Sequence, residues 1–333
     1  MSNPRVLCLG EILFDDLADQ VGRSLEEVES WTAYPGGAPA NVACALTKLG
    51  TSAGFIGCVG EDRAGDELLS LLQAVGVDLT GVQRTLEKTR RVYVTRTKTG
   101  DRMFAGFGDS AAQRSRGDRN TSEFADTRLQ AAQLPVQLFE AADFLVLGTL
   151  ELAYPDSRAA IERALVLAEQ HYVKILLDVN WRPVFWSKQE LAPPLIKALI
   201  KRVDFLKLSQ EEAEWLFNTT DAGAIAHQLS VEGVLVTAGE QGCGYCLGEN
   251  EGKLPSFSVP VVDTTGAGDG FVAGFIHQMN VLGIHHLAQP EMAQKVVTYA
   301  SAVGALTTMK PGAIAAQPIA AEVEAFLKQS SSC

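Results

Sequence analysis

The chain has 333 residues, with 28 Lys or Arg against 40 Asp or Glu, and a formal net charge of -12. Its 47% hydrophobic and 20% charged residues are those of an ordinary globular protein, and 30 scattered Gly with 13 Pro exclude a collagen-like or low-complexity chain. So acidic a balance excludes general binding to nucleic acid or an anionic membrane, because both need a basic surface; an anionic ligand must be held by local donors.

Short β-rich runs alternate with helical patterns, which predicts a parallel sheet covered by helices. Strands are predicted at Val6–Leu9, Ala53–Val59, Phe144–Leu147, Lys174–Asp178, Val203–Leu206 and Val234–Thr237, mostly continuous apolar runs suited to burial on both faces. Helices are predicted at Ala38–Leu49, Asp66–Val75, Ser157–His171 and Gln210–Phe217. In the third, Ile161, Ala164, Leu165 and Ala168 recur at i, i+3, i+4, i+7. Two polar stretches, about 16–34 and 91–108, leave no room for a crossover helix and are expected to form a small sheet off the main body. A turn is expected at Thr99-Gly100-Asp101 and a loop over Arg114–Ser122. No internal repeat or linker is evident, so 1–333 reads as one domain. The start of the chain lacks a signal-peptide core and no run approaches the ~18 apolar residues of a membrane span, which leads to the expectation of a cytoplasmic protein. Cys243-Gly244-Tyr245-Cys246 has CxxC spacing, but without a second pair at zinc spacing it reads as packing.

Candidate chemistry gathers where strands end. Gly10 to Asp16 sets carboxylates after the first strand, at the end where open parallel sheets bind ligands. Gly36-Gly37 can present backbone N–H groups, and Asn41, one turn into the next helix, offers both donor and acceptor. Asp178-Val179-Asn180-Trp181-Arg182 and Ser209-Gln210-Glu211-Glu212 each follow a strand. The most informative segment is Val261 to Phe271, in which a strand-like run ends at Val262 and a helix begins near Gly268. Gly266, Ala267 and Gly268 let backbone N–H groups approach an anion at a helix N-terminus, and Asp269 in that first turn can accept a hydroxyl proton. No Lys-Ser/Thr pair follows the glycines as in a Walker A loop, and neither a dinucleotide fingerprint nor an HExxH pair is present.

Taken in order, these elements resemble the ribokinase-like carbohydrate kinases, or PfkB family, and within it the fructokinases. The Pro35–Ala43 and Asp263–Asp269 segments match its two hallmarks, and the likeness runs from Gly10 to Gly312. It implies an α/β fold with a mostly parallel central sheet, flanking helices and a β-sheet lid, and ATP-dependent phosphorylation of a sugar hydroxyl. Fructose is the expected sugar. The alternatives are 2-keto-3-deoxygluconate as substrate, or a non-catalytic interaction protein on the same scaffold.

By motif, Asp269 matches the catalytic base and Gly266, Ala267 and Gly268 the anion hole. Asp15, Gly36, Gly37 and Asn41 match sugar-binding positions, with Arg182 placed for the sugar or the phosphoryl group. Thr237, Gly239 and Gly242 match the nucleotide loop. Ser209 replaces the Asn of the family's Asn-x-x-Glu motif, and Ser301 stands near the expected adenine position. Glu212 would organise Mg²⁺ through water, while Asp263, Thr265 and Gly312 would form a monovalent-cation loop for K⁺. The lid stretch Phe104 to Asp109 departs from the fructokinase pattern. The resemblance also implies a small-molecule sugar as partner and a homodimer through the lid.

Overall fold

The computed structural model describes residues 3–97, 102–108 and 123–330. The predicted turn at 99–101 and the predicted loop over 114–122 lie outside the described residues. The strands are β1 Val6–Leu9, β2 Leu13–Ala18, β3 Trp31–Gly36, β4 Ala53–Gly60, β5 Asp78–Thr85, β6 Arg91–Arg96 and β7 Arg102–Phe107. They continue with β8 Phe144–Leu147, β9 Lys174–Asp178, β10 Phe205–Ser209, β11 Gly233–Thr237, β12 Cys243–Leu247 and β13 Asn250–Leu254. The longer helices are α1 Ala38–Lys48, α2 Arg63–Val75, α3 Pro155–Gln170, α4 Ala192–Ile200, α5 Gln210–Phe217, α6 Ala222–Leu229, α7 Ala267–Leu282, α8 Pro290–Thr307 and α9 Ala320–Ser330.

The large sheet has the order β13-β12-β11-β10-β9-β8-β1-β4-β5, parallel from β11 to β5 and antiparallel at the β11–β12 and β12–β13 pairs. The run Val6-Leu7-Cys8-Leu9 is wholly buried because both faces of β1 are covered. Leu7 and Leu9 pack in the core under α3, α4, α5 and α6, whereas Val6 and Cys8 pack in the core under α1, α2, α7 and α8. This two-sided burial explains why the predicted strands read as continuous apolar runs. All six are present; β10 begins two residues later than predicted and runs on to Ser209. Cys243 and Cys246 are three residues apart on β12, so they face opposite cores, and both are free buried thiols.

Two expectations are corrected. The run ending at Val262 is not a strand. Val261 and Val262 are 60% and 63% exposed, and the N–H groups of Val262 and Asp263 both bond to the carbonyl of Thr308 beyond α8 instead of to a ladder. The lid is also wider than 16–34 and 91–108 suggest. It is a four-stranded sheet, β3-β2-β6-β7, whose first pair starts at Leu13 and ends at Gly36. Asp15 therefore stands on a lid strand, opposite Tyr34, and not in a loop after β1.

The lid is anchored by a charge. Arg90, just before β6, is fully buried. Its Nε donates to Asp126 Oδ2 at 2.8 Å and its Nη2 to the Tyr154 hydroxyl at 3.3 Å. Its guanidinium lies 4.6 to 5.5 Å from the ring centres of Phe107, Phe124, Tyr154 and Phe185. Such a buried cation is tolerable only while paired. Asp126→Ala should therefore cost about 3–5 kcal/mol in urea unfolding, as removing one partner of a buried pair does. A loss below about 1 kcal/mol would mean that the anchor does not depend on the pair.

Candidate active site

Gly266 begins α7 with φ 78, and a Cβ there would stand 2.8 Å from the Cβ of Ala313, so the turn needs glycine. Ala267 N–H bonds back to Thr264 O at 3.2 Å, while the N–H groups of Gly268 and Asp269 have no acceptor among the described residues. Of the three residues expected to line the anion hole, Ala267 thus spends its N–H inside the turn, while Gly266 and Gly268 keep theirs without an acceptor among the described residues.

Asp269 is buried in the first turn of α7 and accepts a hydrogen bond from Asn41 Nδ2 at 2.8 Å. Burial pushes its pKa up to about 6. Asn41 opposes that rise, Asp178 adds to it, and the charges of Lys207 and Arg182 pull it down. Asn41 is itself buried, and its Oδ1 has no hydrogen-bond partner among the described residues. An acceptor left open beside Asp269 suits the hydroxyl of a polyol. Its backbone carbonyl is fixed by Gln317 Nε2 at 2.8 Å.

Gly36 and Gly37 lead into α1. A Cβ on Gly36 would stand 2.7 Å from Asp15 Oδ2, and one on Gly37, where φ is 106, would stand 2.4 Å from the carbonyl of Glu11. The pair lets the lid carboxylate close onto the start of α1. Across the site, β9 and β10 place Asp178 opposite Lys207, with Nζ at 3.0 Å from Oδ1. Lys207 is buried, yet Asp178 and Glu212 outweigh the cost of burial and hold its pKa above the usual value. The Gly268 Cβ position is 3.3 Å from Nζ, so this ammonium adjoins the anion-binding turn. The sequence reading missed it. Its signal is a lone Lys inside an apolar strand, which demands a buried partner.

Glu212 closes a capping box with Ser209 at the start of α5. Its Oε2 accepts Ser209 N–H at 2.7 Å and its Oε1 accepts Trp181 N–H at 2.6 Å, which ties the Asp178–Arg182 loop to α5. Burial and then Asp178 raise its pKa. Arg182 is exposed and donates to the Trp181 carbonyl at 3.1 Å.

Thr237 ends β11 with its hydroxyl on Leu208 O at 3.2 Å. Beyond it, Gly239 faces open space, and a Cβ on Gly242 would stand 1.9 Å from Leu254 O. The two glycines flank a tight turn with room above Gly239. Asp263 ties two loops together. Its Oδ1 accepts Thr265 N–H at 3.0 Å and the Thr265 hydroxyl at 2.7 Å, and its Oδ2 accepts Gly312 N–H at 3.0 Å. The structure thus brings Asp263, Thr265 and Gly312 together. Ser301 is half-buried on α8 and joins none of these hydrogen bonds.

The pfkB family carbohydrate kinases match this chain over residues 3–320. The chain belongs to that family. Fructokinase-1 of Zea mays is 34% identical over 330 residues, covering 98% of each chain. The fructokinase of Xylella fastidiosa, solved with bound ATP, superposes with TM-score 0.86 at 28% identity and covers 98% of each chain. A double mutant of Vibrio cholerae O395 fructokinase, in a form with fructose, ADP and potassium ion bound, superposes with TM-score 0.81 at 25% identity, covering 98% of this chain and 99% of that one. PfkB kinases are phosphotransferases that act on a sugar hydroxyl, and the large sheet with its smaller companion is their ribokinase-like fold. Among the described residues of this kinase no helix is long and apolar enough to cross a membrane.

If Asp269 accepts the hydroxyl proton, kcat/KM should rise with pH through about 6 and then level, since only its carboxylate form could do so. Lys207→Met removes a charge that lowers the Asp269 pKa, so the rising limb should move to higher pH. An unmoved limb in that variant would separate Lys207 from Asp269.

Proposed function

We propose that this PfkB-family kinase transfers the γ-phosphoryl group of ATP to the 6-hydroxyl of fructose, giving fructose 6-phosphate and ADP. The observation that carries this is the Asn41–Asp269 hydrogen bond beside the open Asn41 Oδ1, which sets a hydroxyl acceptor next to a carboxylate at an anion-binding helix start. The fructokinase relatives and the bound fructose, ADP and potassium of the Vibrio protein support the choice of sugar.

In this reading Asp15 on the lid, with Gly36, Gly37 and Asn41, holds the sugar. Asp269 takes the hydroxyl proton as the oxygen attacks phosphorus. The N–H groups of Gly268 and Asp269, with the Lys207 ammonium beside them, meet the negative charge of the transferring group, which is where phosphoryl transfer gains most. The turn from Thr237 to Gly242 receives the nucleotide over the open face of Gly239. Glu212 would hold Mg²⁺ through water, which fits a carboxylate whose two oxygens already accept backbone N–H groups and keep lone pairs to spare. The Asp263–Thr265 and Gly312 loops would hold K⁺, and their cross-tie through Asp263 fits a loop that orders the start of α7. Bound there, these cations would supply charge neutralisation to the phosphates and their donors.

An acid sugar is the second reading, favoured by one feature: the exposed Arg182, whose charge is felt at Asp269.

Asp269→Asn should lower kcat at least about 100-fold while leaving the fold and ATP binding intact, the usual scale for removing a general base. Wild-type turnover in a coupled ADP-release assay would remove Asp269 from that role. Asp15→Ala should raise KM for fructose about 10- to 100-fold through loss of charge-assisted hydrogen bonds, with KM for ATP nearly unchanged. Measured beside it, a wild-type preference for 2-keto-3-deoxygluconate that disappears in Arg182→Ala would replace the fructose reading by the acid-sugar one.

A further inference from the structure

Beneath the Gly36-Gly37 turn lie two carboxyl groups that the reaction does not use. Glu11 follows β1 and is 5% exposed; Glu151, in the short 3-10 turn Leu150–Ala153 after β8, is 1% exposed. β1 and β8 are paired, with Leu9 opposite Leu147, so the two side chains rise from adjacent strand ends. Both Glu151 oxygens lie 3.2 Å from the Gly10 Cβ position, one residue before Glu11. Glu11 Oε1 accepts the N–H of Ala38, the first residue of α1, at 2.9 Å, and the Glu11 carbonyl is the atom that makes Gly37 a glycine. Among the described residues no N–H or O–H group of another kind donates to either Glu151 oxygen.

We propose that Glu11 and Glu151 hold one proton between them and act as a positioning pair for the Gly36-Gly37 turn and the start of α1, and so for the sugar subsite above. This rests on the reading of that turn as part of the sugar site.

Two buried carboxylates in contact cannot both ionise. Burial raises both: Glu11 to about 7, and Glu151 well above its ordinary value, with the charge of Glu11 adding to the rise. Backbone N–H groups, that of Ala38 on Glu11 among them, pull the other way, but burial outweighs them. Asp126, from the turn Ala125–Arg128, repels both groups. Arg90 is held by Asp126 and Tyr154, and the first turn of α1 carries no acidic side chain. A single proton resolves the contact. Glu151 keeps it and donates, while Glu11 carries the charge, accepting from Glu151 and from Ala38 N–H. The start of α1 favours an anion there, which fixes which partner is charged. With both groups ionised, repulsion would act directly on the residue that holds Ala38.

Glu151→Gln and Glu151→Leu test this, since the amide donates the hydrogen bond at every pH and the alkyl chain never does. The Gln variant should keep KM for fructose within about threefold of wild type, and the Leu variant should raise it at least about tenfold, with kcat and KM for ATP within about twofold. Unchanged fructose KM in the Leu variant, or equal rises for fructose and ATP, would overturn the proposal. If the Leu variant fails to fold, thermal unfolding of wild type and Glu151→Gln decides. The folded pair binds more protons than the unfolded chain, so wild type should lose stability relative to the Gln variant as pH rises from about 5 through about 7 and beyond. A pH-independent difference would overturn it. The unfolding measurement needs no substrate. Turnover of another sugar in place of fructose would refute the fructose reading while leaving the same KM comparison to be made with that sugar.

Discussion

The hydrogen bond from Asn41 to Asp269 joins residues 228 positions apart and sets the geometry on which the site depends. Asn41 belongs to α1, whose start is fixed by Gly36, Gly37 and Glu11; Asp269 belongs to α7, whose start is fixed by Gly266 against Ala313. The two helices pack on the same face of the large sheet, so their N-termini open side by side at the carboxyl ends of the strands. In the proposed mechanism one helix start supplies hydroxyl recognition and the other phosphoryl recognition. The proton acceptor lies on the seam between them.

A chain of net charge -12 that handles polyphosphate needs its positive potential placed locally. Here it comes from the N–H groups at the start of α7 and from Lys207, held between Asp178 and the Gly268 turn. Lys207 also balances the charge of Asp178, Glu212 and Asp269: Asp178 raises the pKa of Glu212 and of Asp269, and Lys207 lowers both. The same ammonium therefore keeps Asp269 usable near neutral pH and faces the transferring charge in the proposed mechanism. In that mechanism backbone donors and Lys207, together with the bound cations, would do this work without a Walker lysine.

Much of this was legible in the sequence because buried parallel strands are continuous apolar runs and because Asp263 to Asp269 concentrates several positional constraints in seven residues. The lid boundary was not, since Ile12, Leu13 and Phe14 read as an extension of the body while in space they already turn into β2. Val261 and Val262 misled for the opposite reason: an apolar pair became surface because the N–H groups of Val262 and Asp263 found Thr308 and not a strand. Lys207 and Glu151 did not stand out as site residues: a lone Lys in an apolar strand signals a buried partner but not which one. The meaning of each depends on a cross-strand neighbour, Asp178 opposite Lys207 and Glu11 at the end of the strand beside Glu151, and no local pattern reports that pairing.

The placement of Asp15 on the lid gives the anchor at Arg90 its functional sense. In the proposed mechanism the sugar is held by a carboxylate from the small sheet and deprotonated by one from the body, so the site is complete only when the two sheets are in register. β2 carries Asp15, and its parallel partner β6 begins directly after Arg90, which is locked into the body through Asp126 and an aromatic box. That pairing sets Asp15 opposite Val92, two residues from the anchor. A buried, hydrogen-bonded guanidinium resists displacement more than a surface contact does, because any movement strands a charge in apolar surroundings. The lid is therefore fixed most firmly where β2 and β6 leave the body and where β7 ends at Phe107 against Arg90, while the Arg102 end of β7 and the Trp31 end of β3 stand farther from the anchor. Motion confined to those outer parts would admit and release a sugar without disturbing the distance from Asp15 to Asp269.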